Sequence, residues 1–150
     1  MINKYLFAIE ILFVIILDIC YHIDMKETNA KNLEFKTNEI VINKSRFIAY
    51  LYELENVDIV KDIIAGLKKE HKKANHVCYA YVYNKDMVSE KCSDDGEPGG
   101  TAGYPILNVI KKKNRTNILV AVVRYFGGIK LGAGGLTRAY TKSAASVLND

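Results

Sequence analysis

The 150-residue chain is poor in cysteine, and the spacing of the few it has excludes several classes. Cys20, Cys78 and Cys92 are odd in number and form neither a C-x-x-C pair nor a dense framework. A disulfide scaffold is therefore excluded, and reduced thiols in the cytoplasm are the expectation. With His22, His71 and His76 they also lack structural zinc spacing, so no metal is expected. No redox or cofactor motif is present, and no cofactor is expected. Strong charge is missing too: a net +4 permits a nucleic-acid partner only if the basic residues share a face. A clean membrane span is absent. Residues 5–23 are long enough, but Glu10 and Asp18 interrupt them, each at about 2.5 to 3.5 kcal/mol near a helix centre. Lys4 alone is basic ahead of this run and no A-x-A-like site follows, which fits a signal peptide poorly. Leu17-Asp18-Ile19-Cys20 places Asp18 and Ile19 where a lipoprotein signal needs small residues.

Residues 1–24 also lack Gly, Pro, Ser, Thr and Arg, and read as a doubtful extension, either an apolar leader or a misassigned start. Met25 then opens the protein proper. Without Lys4, Glu10, Asp18 and Asp24, 20 basic and 14 acidic residues remain and the net charge rises to +6. The whole chain is 49% hydrophobic and 25% charged, within the range of ordinary globular proteins, and 25–150 reads as one domain. A chain of this size buries roughly 68 to 70% of its unfolded surface and needs no covalent staple.

Periodicity supplies the elements. Glu39 to Glu53 gives two β-rich runs joined around Asn43-Lys44-Ser45, a hairpin or bulged pair. Val57 to Lys73 changes to helical spacing, with Val57, Val60, Ile63, Ile64 and Leu67 apolar and five lysines among the polar positions. His76 to Tyr83 is a strand whose faces separate into Val77, Tyr79, Tyr81, Tyr83 and His76, Cys78, Ala80, Val82. A weaker strand at Met87 to Lys91 leads to a loop at Ser93 to Gly103 and a short helix from Pro105 to Lys113. Asn117 to Tyr125 is almost continuously apolar, as in a strand covered on both faces. A Gly-rich turn from Gly127 to Gly135 and a helix from Leu136 to Leu148 close an α+β domain without internal repeats.

Two motifs concentrate the chemistry. Ser93 to Gly103, S-D-D-G-E-P-G-G-T-A-G, packs three carboxylates and four glycines into eleven residues. Arg124 to Tyr140, R-Y-F-G-G-I-K-L-G-A-G-G-L-T-R-A-Y, carries a buried strand through five glycines into a helix N-terminus, where free N–H groups favour anions. The pair resembles the signature of the IMPACT/YigZ family, an acidic D-D-G-E-P-x-G-T-A-G loop followed by R-Y-F/Y-G-G-x-x-L-G-x-G-G-L-x-x-A-Y. The resemblance covers roughly residues 39–148, from Lys44-Ser45-Arg46-Phe47 through Asn75-His76-x-Cys78 to the last helix, and leaves 1–24 without a counterpart. It implies a two-layer sandwich like domain IV of elongation factor G, with helices on one face of a sheet, and it implies translation-linked work. The C-terminal ferredoxin-like domain usual in bacterial members, and the N-terminal partner-binding domain of eukaryotic ones, have no counterpart in these residues.

The expected function is a translation-linked regulator, or a ribosome- or RNA-associated binding domain, without catalytic activity, its expected partner being RNA, the ribosome or a translation-associated protein. Arg124, Lys130 and Arg138, with Gly132, Gly134 and Gly135, are the candidate ligand- or RNA-binding residues beside Lys142. Lys111-Lys112-Lys113-x-Arg115 reads instead as a solvated helix end. Asp94, Asp95, Glu97 and Thr101 mark the acidic loop; its aspartates either cap loop N–H groups or pair with Arg124 and Arg138. The enzymatic alternative is a phosphate-ester or nucleotide site, the three glycines cradling phosphate while Asp94, Asp95 and Glu97 hold Mg²⁺. The turn lacks the G-x-x-x-x-G-K-[ST] order, which weakens that alternative. Cys78, His76 and Asp95 are the one set resembling a nucleophile with its base, though a small cysteine in a strand is more often inert core.

Overall fold

Asn43 and Lys44 both take left-handed backbone angles, φ +47° and +63°, the pattern of a two-residue type I′ hairpin turn. They join β1 (Phe35–Ile42) to β2 (Ser45–Glu53), with Ile42 opposite Ser45. The computed structural model describes residues 2–149, with side chains described at 6–21 and 32–149. The remaining elements are α1 (Ile2–Lys31), α2 (Ile59–Glu70), β3 (His76–Asn84), β4 (Val88–Ser93), α3 (Gly103–Lys112), β5 (Ile118–Tyr125) and α4 (Gly132–Leu148).

The chain forms two units, Met1–Asn32 and Leu33–Asp150. In the first, α1 runs without a break through the position of Met25, whose side chain, like that of His22, lies outside the described residues. Among the described residues no helix is long and apolar enough to cross a membrane.

In the second unit the five strands form one antiparallel sheet in the order β1-β2-β5-β3-β4. β5 sits at its centre, and Ile118 to Val123 have no solvent exposure, as their unbroken apolar run predicts. Each of the Ile, Leu and Val side chains among them contributes roughly 1.5 to 3 kcal/mol when fully buried. Alternation sorts the strand residues between two cores. Phe47, Ala49, Cys78, Ala80, Val120 and Val122 meet α3 and α4 on one face. Tyr50, Tyr52, Val77, Tyr81, Leu119 and Val123 meet α2 on the other. The α+β class is as read from the sequence, and β3 divides as its pattern predicts. The resemblance implies helices on one face of the sheet; α3 and α4 form that layer, but α2 packs on the opposite face, so the sheet is covered by helices on both sides. α2 does so because Val60, Ile63, Ile64 and Leu67 recur at helical spacing and bury together.

Two helix starts differ from the sequence reading. α3 begins at Gly103 rather than Pro105, because a loop carboxylate accepts the N–H groups of Ala102 and Gly103. α4 begins at Gly132 rather than Leu136, so half the Gly-rich segment is helical. Glycine disfavours helix by about 1 kcal/mol per residue. Here Leu131 packs on the core and lies against Gly135, where an added Cβ would be 3.0 Å from Leu131 Cβ, and this packing outweighs the propensity.

Candidate functional site

Both motifs lie at one end of the sheet. β5 finishes there opposite the starts of β2 and β3, with Arg46 facing Tyr125 and His76 facing Arg124. The acidic loop returns to the same end, since Ser93 pairs with Tyr79.

The loop is organised by its own carboxylates. Asp94 Oδ1 accepts from Ala102 N at 3.1 Å and Gly103 N at 2.8 Å, while Oδ2 accepts from Gly100 N at 2.9 Å. Partial burial pushes the Asp94 pKa up, but these three N–H donors outweigh it and hold the group below the usual aspartate value. Asp95 has φ +41° and ties the loop to two other elements. Its Oδ1 accepts from Lys68 Nζ of α2 at 2.8 Å, its Oδ2 from Val77 N of β3 at 2.7 Å, and its carbonyl oxygen meets His76 Nδ1 at 2.8 Å. Thr101 is buried and donates from Oγ1 to the Pro98 carbonyl at 2.6 Å, holding the glycine turn closed.

Glu97 points inward. Its carboxylate accepts from Arg124 Nη1 at 2.6 Å and from Tyr140 OH at 2.7 Å through Oε1, and Oε2 lies 3.6 Å from His76 Nε2. The Glu97 and Arg124 side chains are only 3% and 7% exposed. Arg124 Nη2 also donates to Ser45 Oγ at 3.4 Å, and its guanidinium lies over the Phe47 and Phe126 rings, 5.5 and 5.6 Å from their centroids. Cys78 Sγ donates to the Asp94 carbonyl at 3.0 Å and contacts Tyr140 OH at 3.4 Å. Burial pushes the Cys78 thiol up to about 12 and raises Tyr140 further.

The sequence expectation is thus met in one part and redirected in another. Asp94 caps loop N–H groups, but the carboxylate that pairs with a motif arginine is Glu97, not Asp94 or Asp95. Five of the six oxygens of Asp94, Asp95 and Glu97 accept hydrogen bonds from protein groups, and the sixth, Glu97 Oε2, lies 3.6 Å from His76 Nε2, so the three carboxylates are directed to separate partners. Among the described residues no three His, Cys, Asp or Glu side chains are placed to hold a metal ion. Sequence reasoning placed Arg124 on the ligand-facing surface, and the structure places it in the core between the motifs. It also missed Tyr140 and Ser45 as members of this cluster. Tyr140 carries a readable signal, because helical spacing puts it with Leu136 and Ala139 on the buried face of α4, where a hydroxyl requires a partner.

The remaining candidates stay outside. Lys130, Gly132, Gly134 and Arg138 are exposed, as is Lys142, and Gly135 is half-buried. Among the described residues, none forms an ion pair or hydrogen bond with the Lys130, Arg138 or Lys142 side chain. The first turn of α4 has no side-chain cap and no acidic residue, and Arg138 Nη1 lies 3.3 Å from where a Gly134 Cβ would be. Gly127 permits the segment to cross the β1–β2 turn, since a Cβ there would lie 2.0 Å from the Lys44 carbonyl carbon.

These motifs and this sheet are shared with known proteins. The profile of the Impact N-terminal domain family matches residues 43–148. The chain belongs to the IMPACT family. IMPACT family member YvyE of Bacillus subtilis is 50% identical over 112 residues, covering 75% of this chain and 52% of the relative. IMPACT family member YigZ of Escherichia coli is 44% identical over 101 residues, covering 66% and 50%. This IMPACT-family chain therefore spans about half the length of these relatives. A solved structure described only as a hypothetical protein superposes with a TM-score of 0.70 at 40% identity, covering 75% of this chain and 55% of the other. The two-domain translational regulator Yih1 superposes with a TM-score of 0.54 at 23% identity, covering 75% and 46%, and shares the fold.

Proposed function

We propose that this IMPACT-family chain is a translation-associated binding domain without catalytic activity, working in the cytoplasm on RNA or the ribosome. Its folded unit offers the partner the exposed side of the Gly-rich segment. The observation that carries the reading is the commitment of the acidic loop: five of its six carboxylate oxygens accept hydrogen bonds from protein donors, and the motif thiol is held as a neutral core group. The motif's polar groups then serve to fix two loops against each other. Lys130, Arg138 and Lys142 are left facing solvent, where cations recognise phosphate. Translation as the setting is supported by the family and by the likeness to Yih1, itself described as a translational regulator.

Co-sedimentation with ribosomes and with RNA across a salt series tests this. The Lys130→Ala, Arg138→Ala, Lys142→Ala variant is the comparison, with Arg124 left intact because its loss would disturb the core. Salt-dependent sedimentation that the variant loses supports the reading. Failure of the wild-type chain to sediment at low salt overturns it. The competing reading, a phosphate-ester or nucleotide site, is favoured only by the uncapped first turn of α4. Turnover of a generic phosphate ester by the folded chain would bring it forward.

A further inference from the structure

Phe126 is 47% exposed, yet it is held firmly. Its N–H donates to Asn75 Oδ1 at 2.8 Å, and its ring rests on the buried Arg124 guanidinium, itself fixed by Glu97. A flat aromatic surface anchored on one side and open on the other is a platform for another flat group. Around it the fold collects cations from segments far apart in sequence. The turn after α2 is stitched to this spot: Asn75 N donates to the Arg124 carbonyl at 2.9 Å, and His71 Nδ1 meets Tyr125 OH at 2.7 Å. That turn carries exposed Lys72 and Lys73. The hairpin tip contributes Lys44, against whose backbone Gly127 packs, and the Gly-rich segment itself contributes Lys130. Of the acids at this end, Glu39, Asp95 and Glu97 neutralise Arg46, Lys68 and Arg124, and Asp94 faces N–H groups. Glu70 is the exposed acid nearest the lysine turn in sequence. Among the described residues, Lys44, Lys72, Lys73 and Lys130 have no ion-pair partner.

The geometry points to single-stranded RNA as the ligand of this end of the sheet. One unpaired base stacks on Phe126 while Lys72 and Lys73 hold backbone phosphates on one side and Lys44 and Lys130 on the other. A duplex offers the phosphates without a free base face, and an acidic protein segment offers the charge without the flat ring. The combination selects a strand with splayed bases. This deepens the reading above and rests on it, adding Phe126 and the α2 turn to the contact surface.

The test is fluorescence anisotropy of the full chain with a labelled twelve-nucleotide oligouridylate. An abasic strand of equal length, an RNA duplex and polyglutamate serve as competitors. Expected is a Kd about tenfold weaker for Phe126→Leu, with Phe126→Tyr retaining binding. Expected as well is a salt slope shallower by about 1.4 for Lys72→Ala/Lys73→Ala, at about 0.7 per lost single-strand phosphate contact. Lys112→Ala, at the far end of α3, leaves both quantities unchanged. Circular dichroism establishes that each variant is folded. If Lys130→Ala/Arg138→Ala abolishes binding while the Phe126 and lysine-turn variants bind as wild type does, this inference falls and the broader function stands. Equal competition by the abasic strand, the duplex or polyglutamate also overturns it. No binding by wild type at low salt overturns both.

Discussion

Arg124 Nη1 donates to Glu97 Oε1 at 2.6 Å, joining the end of the central strand to the acidic loop where both side chains are almost fully buried. Removing one partner leaves the other charge buried and uncompensated, which costs about 3 to 5 kcal/mol. Glu97→Ala is therefore expected to lower the urea midpoint sharply. An apolar replacement of both, Glu97→Leu with Arg124→Met, recovers most of that loss. Equilibrium unfolding of the single and double variants checks the relationship; a double variant no better than Glu97→Ala would contradict it.

Asp94 gives the loop an acid dependence. Its three N–H donors favour the charged form in the folded chain, so its folded pKa lies below the unfolded value of about 3.9. In acid the unfolded chain then binds the extra proton. The Asp94 contribution is fully present above that unfolded value and is lost as pH falls through the folded one. Thermal midpoints measured from about pH 6 down to pH 2 should fall more steeply for wild type than for Asp94→Asn, which has no charge to lose.

The two adjacent glycines after β5 should respond differently to alanine. At Gly127 a methyl group would overlap the Lys44 backbone at 2.0 Å, so the hairpin turn or the Gly-rich segment must move. At Gly128 nothing lies within 4 Å, and the obstacle is the backbone angle of φ +89°. Gly128→Ala is expected to lose about 1 to 2 kcal/mol and keep its fold. Gly127→Ala is expected to lose more and to shift amide resonances of Asn43 and Lys44. Nuclear magnetic resonance spectra of the two variants separate these outcomes.

Cys78 should resist alkylation. With its thiol pushed up to about 12 and no solvent exposure, it carries almost no thiolate at neutral pH. Iodoacetamide at pH 8 is expected to modify exposed Cys20 in the native chain and to reach Cys78 only after unfolding. Mass spectrometry of protease digests locates the label. Rapid labelling of Cys78 in the native state would revive it as a nucleophile.

Local pattern carried most of the architecture. The faces of β3 follow from alternation, the buried run of β5 from its unbroken apolar stretch, and the hairpin from Asn43-Lys44. The starts of α3 and α4 were less legible, because both depend on contacts made at a distance: Asp94 reaching across to Ala102 and Gly103, and Leu131 seating itself on the core. The same limit governed the candidate site. Residue type marked Arg124 as a phosphate ligand, but its register on the face shared with Val120 and Val122 points it inward, where Glu97 meets it. Lys130 and Arg138 carry no such register signal, and the fold leaves them outside. Lys72 and Lys73 read only as the polar side of a helix. Nothing in their spacing indicates that the following turn is tied to the last strand.

The position of β5 has a consequence for synthesis. The hairpins β1–β2 and β3–β4 each form from neighbouring sequence, yet they share no edge, and both are joined through the strand that is made last. A nascent chain shorter than about 118 residues holds two separate hairpins with apolar flanks and nothing to unite them. Cooperative folding of the sheet waits until Ile118 to Tyr125 have left the ribosomal tunnel. Up to that moment the growing polypeptide is at its most vulnerable to proteases and to association with other unfinished chains.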